Sequence, residues 1–283
     1  MTMAAPLRAE VSRDNQVVEV GRADGTALLT HRIQADQRPS MHPIHAPDGI
    51  GVLTEDAPSH HPWQHGLYTG FNLVNGVGFW KEFEEDGTFR PTLLATPEVN
   101  GSTARWSLEN AWVAPDRTIP IVERQDWTLI DEGATFDLEL DWMLRAQVDV
   151  EIGQYMAGGL FLRMPFAEAT GGVALNSEGL QDAAAEKQRA RWVAVSMPIA
   201  GRPDAGGFAI MDHPANPAFP VTWRVDNELG ISPSRCIGES WPIPANTTDR
   251  YRFRLHVFCG PIDATEIEQR WGAFAGTIPA GAS

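Results

Sequence analysis

The chain has 283 residues, 43% of them hydrophobic and 21% charged, and a formal net charge of -15 at pH 7. A chain of this length buries roughly 75% of its unfolded surface without disulfides or metals. Its acidic balance excludes phosphate backbones and anionic lipid surfaces as partners.

From the N-terminus, Met1 to Glu10 lacks the apolar core of a secretory signal, and Cys236 and Cys259 make no disulfide framework. Both observations point to the cytoplasm. Strand-like runs follow at 16–20, 26–33, 68–73, 103–113 and 119–130. At 135–144, Phe136, Leu138, Leu140 and Trp142 alternate with Asp137, Glu139 and Asp141, as in a half-buried antiparallel strand. Further runs lie at 156–164, 190–197, 207–211 and 221–225, and Tyr251, Phe253, Leu255 and Val257 repeat the alternation. None of these runs approaches the ~18 apolar residues of a membrane span. Residues 181–189 predict a short helix or a mobile excursion. Residues 263–274 predict a terminal helix with Asp263 as N-cap. More than about a dozen short strands, with no linker or repeat, predict one all-β domain over 1–283. It is expected to be a large antiparallel β-sandwich with a short C-terminal helix.

Five of the eight histidines crowd between residues 42 and 65: His42, His45, His60, His61 and His65. Pro39, Pro43, Pro47, Pro58 and Pro62 surround them, which predicts loops set on a sheet. If Pro62 opens one helical turn, His61 and His65 share a face and meet at one point. Neutral imidazoles there would serve acid/base chemistry or ligate a metal, with His42 or His45 adding a nitrogen. The plain alternative is a surface loop whose histidines bond backbone carbonyls.

Asp48, Glu55, Asp56 and the run from Glu82 to Asp86 lie near this segment, and Glu239 stands next to Ser240-Trp241. A carboxyl against tryptophan has a raised pKa suited to proton transfer. Trp63, Trp80, Trp223 and Trp241 stand outside the alternating runs, where flat faces stack on sugar rings; Arg163, Arg191, Arg224 and Arg235 would bind hydroxyls or a carboxylate. Only Lys81 and Lys187 are lysines, and no Gly-x-x-x-x-Gly-Lys, Gly-x-Gly-x-x-Gly or Gly-x-Ser-x-Gly motif occurs. Nucleotide-binding and serine-hydrolase readings therefore lack their signatures.

Arg38-Pro39, His42-Pro43, Ser59-His60-His61-Pro62-Trp63-Gln64-His65-Gly66-Leu67 and Asn75-Gly76 through Phe79-Trp80 resemble the PmoA-like bacterial family, catalogued as methane oxygenase. Gly158 to Pro165, Arg191-Trp192-Val193 and Met211 to Pro217 extend the resemblance, which runs from about Arg38 to Gly260. Two positions depart from it: the family's leading Asp is His60 here, and its second His is Gln64. The resemblance implies a fold similar to the galactose-mutarotase supersandwich. In enzymes of that fold a His acid and a Glu base flank a sugar, roles that would fall to His61 and Glu239. It also carries over His65, Asn75, Arg163, Asp212 and His213.

The expectation is a carbohydrate-active enzyme doing epimerase- or lyase-type acid/base chemistry on a sugar or oxidised sugar. His61, His65 and Glu239 are the expected catalytic residues. Trp63, Asn75, Trp80, Arg163, Asp212, His213 and Trp241 are the expected substrate contacts. One divalent metal ion on His42, His61 and His65 would fit as an optional cofactor. The expected partner is a small-molecule carbohydrate, with no nucleic acid and no membrane. A non-catalytic carbohydrate-binding protein and a metal-dependent oxygenase are the alternatives.

Overall fold

The alternating runs form paired strands in the computed structural model of the chain, which describes residues 5–277. Residues 1–4 and 278–283 of the expected domain lie outside the described residues. Thr103–Val113, Ile121–Asp131, Phe136–Ala146 and Thr248–Cys259 pair antiparallel along their lengths and form the middle of a nine-stranded sheet. The other sheet has eleven strands. Its order runs from Leu7–Val11 through Ala27–Arg32, Ser40–Ile44, Leu67–Val74 and Gly158–Leu162 to Ile231–Pro233 and Trp223–Val225. The inward residues of both sheets, among them Phe71, Trp112, Leu138, Trp142, Leu160 and Leu255, form one apolar cluster.

This is the all-β antiparallel sandwich that the period-two pattern predicts. The C-terminal helix spans Ala264–Ala275; the Asp263 side chain accepts bonds from the N–H groups of Thr265 and Glu266, both at 3.0 Å. Ile267 and Phe274 are its buried residues. The 181–189 stretch contributes only a 3-10 turn at Asp182–Ala184. One segment read as loop is a strand: Ser40–Ile44 buries Met41 and Ile44 and pairs with Leu67–Val74. A proline and a histidine mask its short alternation. Among the described residues no helix is long and apolar enough to cross a membrane.

A carboxylate lies in the middle of this apolar interior. Glu123 is 0% exposed. Its Oε1 accepts from Thr69 Oγ1 at 2.6 Å, Gln125 Nε2 at 2.8 Å and Trp142 Nε1 at 2.6 Å. Its Oε2 accepts from Asn110 Nδ2 at 2.8 Å and Trp112 Nε1 at 2.9 Å. Five donors suit a group that only accepts. Four of them are on strands of the nine-stranded sheet, and Thr69 belongs to the other.

Removing the carboxylate strands several buried donors at once, each costing about 1–3 kcal/mol. Glu123→Ala should therefore lower the unfolding free energy by about 4 kcal/mol in urea titration, Glu123→Gln by less, and a loss under about 1 kcal/mol would contradict this account.

Candidate functional site

Because side chains alternate along a strand, the inward turn of Thr69 and Phe71 sends Tyr68 to the opposite face of its sheet. On the neighbouring strand Leu160 and Leu162 join the main core, so Phe161 and the following Arg163 share the face of Tyr68. Tyr68, Trp80, Ala157 and Phe161 form a separate buried cluster there, with Trp63 half-buried against it. Arg38 ties this floor together. Its Nη1 donates to the Trp80 carbonyl at 2.6 Å, its Nη2 donates to the Trp63 carbonyl, and its guanidinium lies 3.9 Å from the Tyr68 ring centre. The Tyr68 hydroxyl is buried without a partner among the described residues, and burial pushes its pKa up.

The histidine segment rises from this floor as a closed excursion. Asp56 and His65 form a β-bridge at its base, and Ala57 N–H donates to the Gln64 carbonyl at 2.7 Å. Inside, His61 N–H bonds the Pro58 carbonyl at 2.8 Å and Gln64 N–H bonds the His61 carbonyl at 3.0 Å. These are two tight turns, not the helical turn expected after Pro62. His61 and His65 consequently take different partners.

Two histidine–carboxylate–arginine chains result. His65 Nδ1 bonds Asp56 Oδ1 at 2.7 Å, and Asp56 Oδ2 accepts from Arg32 Nη1 at 2.6 Å. In the second, Glu228 Oε2 lies 2.9 Å from His60 Nε2 and 3.8 Å from His61 Nδ1, and pairs with Arg163. Arg163 also donates to Glu55 at 2.9 Å, and its side chain is 1% exposed. Asp226 Oδ1 accepts from the N–H groups of Glu228 and Gly230 at 2.9 and 2.8 Å, closing the turn that presents Glu228.

Charge follows from these contacts. Burial lowers the pKa of His61, opposed by Glu228, so its imidazole is mainly neutral at pH 7; its Nδ1 has no hydrogen-bond partner among the described residues. Burial works to raise the Glu228 carboxyl, but the bonds from Arg163 and His60 hold it below its ordinary value. Asp56 behaves alike: burial is outweighed by Arg32 and His65. His60 Nε2 also lies 3.0 Å from Arg163 Nη2, which only donates, while Glu228 only accepts. One tautomer therefore serves Glu228 and the other serves Arg163.

Of the expected residues, His61 meets Trp63 and shares Glu228 with Arg163, Trp63 packs against the Trp80 cluster, and His65 is held apart on Asp56. Arg163 is engaged by Glu55 and Glu228, so it positions carboxylates and is not a free substrate anchor. The others stand elsewhere. His42 belongs to a strand and bonds Thr54 Oγ1 at 2.9 Å. Asn75 closes a hairpin turn and accepts from Glu151 N–H at 2.7 Å. Asp212 is buried, accepts from Asn216 at 2.7 Å, and is pushed up by burial to about 7. His213 packs on Phe274 under the terminal helix. Trp241 is core, bonded to Asp249 at 2.9 Å. Glu239 is half-exposed and held by Arg235 at 2.8 Å, one helical turn back, with no contact to the histidines.

The expected metal set does not converge either, because His42, His61 and His65 each face a different partner. Among the described residues one group of three ligand atoms lies close together: His60, His61 and Glu228, within 4.8 Å. The Arg163 guanidinium already contacts two of the three, so a cation occupies the position a metal would take. Arg38 enters the sequence-based expectations only through the family resemblance, and Glu228, Arg32 and Tyr68 are not among the expected site residues. The turn residues Asp226 and Gly230 around Glu228 were the available signal.

The family DUF6807, described as a family of unknown function, matches residues 19–272, and the chain belongs to it. That match carries no methane-oxygenase description. No curated protein matches the chain. Among solved structures, the chain is similar to a GH36 alpha-galactosidase, AgaB, from Geobacillus stearothermophilus. The identity is 8% and the TM-score 0.43, over 88% of this chain and 40% of that one. It is also similar to a proposed aldose 1-epimerase from Klebsiella pneumoniae, with 9% identity and TM-score 0.43 over 95% and 88% of the two chains. For the Slr1438 protein from Synechocystis sp. the values are 9% and 0.39, over 91% and 98%. The chain thus spans well under half of the galactosidase, and the fold assignment rests on the strand pairing, not on these likenesses.

Because Glu228 holds the His61 pKa up against burial, Glu228→Gln should lower it further. NMR titration of the His61 ring checks this, and an unmoved or raised midpoint would contradict the contact.

Proposed function

We propose that this DUF6807 member binds a carbohydrate against the half-buried Trp63, which packs on the buried Tyr68, Trp80 and Phe161 cluster, and moves protons on it, with His65 and His61 as the acid/base groups. The observation that carries this reading is the pair of histidine–carboxylate–arginine chains. A carboxylate on Nδ1 fixes the imidazole tautomer and leaves Nε2 as the working nitrogen. Asp56 does this for His65, and Arg32 fixes Asp56 in turn. His61 is neutral beside an ionised Glu228, ready to accept a proton. The Glu239 role expected from the sequence passes to these groups.

Epimerase-type chemistry fits two such histidines. One takes the proton from a carbon beside a carbonyl, the electron pair enters the enolate, and the other returns a proton to that carbon. The imidazolium formed in the first step supplies positive charge near the developing oxyanion. The Trp63 ring, 5.3 Å from His61 and edge-on to it, offers a partly open apolar face for sugar C–H groups.

Incubating the protein in D2O with a panel of aldoses, ketoses and aldonates, and reading deuterium uptake by mass spectrometry, tests the reading. Wild type should exchange a carbon-bound proton of at least one sugar. His65→Gln and His61→Gln should each slow exchange by about 10²-fold or more at an unchanged unfolding midpoint, while Glu239→Gln and chelator dialysis leave it intact. Exchange that survives both histidine substitutions would sink the assignment. Binding without exchange would leave a non-catalytic carbohydrate receptor.

A further inference from the structure

Two carboxylates of this site, Glu55 and Asp56, also line a separate space. A cavity of about 790 Å³ is bounded by Val52, Pro165, Ala167, Pro198, Ile199 and Ala200 on its apolar side. Its polar side is His42, Thr54, Glu55 and Asp56. The volume lies within the range of small-ligand pockets. Glu55 and Asp56 are shared: the first holds Arg163 and the second holds His65, so one short segment borders both the cavity and the histidine chains. His42 has its Nδ1 on Thr54, which leaves Nε2 as the only ring nitrogen for a ligand.

We infer that this cavity is an aglycone subsite, and that the ligand is an oxidised sugar carrying an aromatic glycosidic group, its carboxyl supplying the carbonyl beside the exchanging carbon, not a free monosaccharide. The inference rests on the carbohydrate reading above and extends it. A free sugar presents hydroxyls on every edge and would leave them unpaired against Ile199, Val52 and the prolines. An aromatic ring buries apolar area there and needs no hydrogen bond on that side. The polar wall suits the junction, where the glycosidic oxygen can accept from His42 while sugar hydroxyls donate to Glu55 or Asp56. Ala167 and Ala200 are exposed at the rim. Enlarging either narrows the cavity without disturbing the sheets.

The test compares matched methyl and phenyl glycosides of several uronic acids by calorimetry, with phenol alone as a third probe by ligand-observed NMR. The phenyl glycoside of the preferred sugar should bind about tenfold or more tightly than its methyl counterpart. Ala167→Trp and Ala200→Trp should abolish that preference while leaving methyl glycoside binding as it was. Equal affinities for the pair, or a preference that persists in both variants, would overturn the subsite. If no glycoside binds yet phenol binds wild type and not the variants, the apolar subsite stands and the carbohydrate reading falls. If neither binds, both fall.

Discussion

Five neutral donors converge on the Glu123 carboxylate, and the one from the facing sheet, Thr69 Oγ1, stands beside Tyr68 in sequence. A charge so deep is tolerable only when each lone pair is used. That requirement fixes which face of the strand Leu67–Val74 looks inward. A slip of one residue would break the bond and turn Tyr68 into the core. The floor of the candidate site is thus held in register from the other side of its own sheet. The same strand carries the inward anchor and the outward floor on adjacent residues.

Arginine does the corresponding work on the outer face. The chain has two lysines, and its buried cations at the site are Arg38 and Arg163. A planar guanidinium can satisfy several acceptors in fixed directions, which an ammonium on a flexible stem cannot. Arg38 joins two backbone carbonyls from separate loops, and Arg163 joins two carboxylates. Both side chains are spent on holding the loops that bear the histidines. Recognition and proton transfer are left to half-exposed groups, which water and ligand can reach.

The sequence made the sandwich legible because its long strands keep a strict alternation, as Phe136–Ala146 and Thr248–Cys259 illustrate. Short strands such as Ser40–Ile44 and Trp241–Ile243 carry too few residues for a period to register. Histidine crowding pointed to the candidate site, where His61 meets Trp63 and Trp63 packs against Trp80, while His65 takes Asp56 as its own partner. What failed was pairing across the chain. Glu228 is 168 residues from His60, and nothing local distinguishes it from any acidic turn residue. Glu239 offered a carboxyl next to Trp241, but its nearest cation is Arg235, so the local pattern belonged to a surface ion pair. Asp212 and His213 are expected substrate contacts, yet the adjacent turn and the terminal helix absorb them.

The separations that hid the site also set when it can form. Its bonds close loops of 42, 103, 108 and 168 residues. Loop-closure entropy of that order is repaid only after both sheets exist, so contacts of this kind arise late in folding. The histidine segment, by contrast, closes on itself over nine residues through Asp56 and His65. A nascent chain can hold the His65 chain's inner contact long before Glu228 has been synthesised. The two halves of the site therefore differ in folding time: one is local and early, the other arrives only with the complete sandwich.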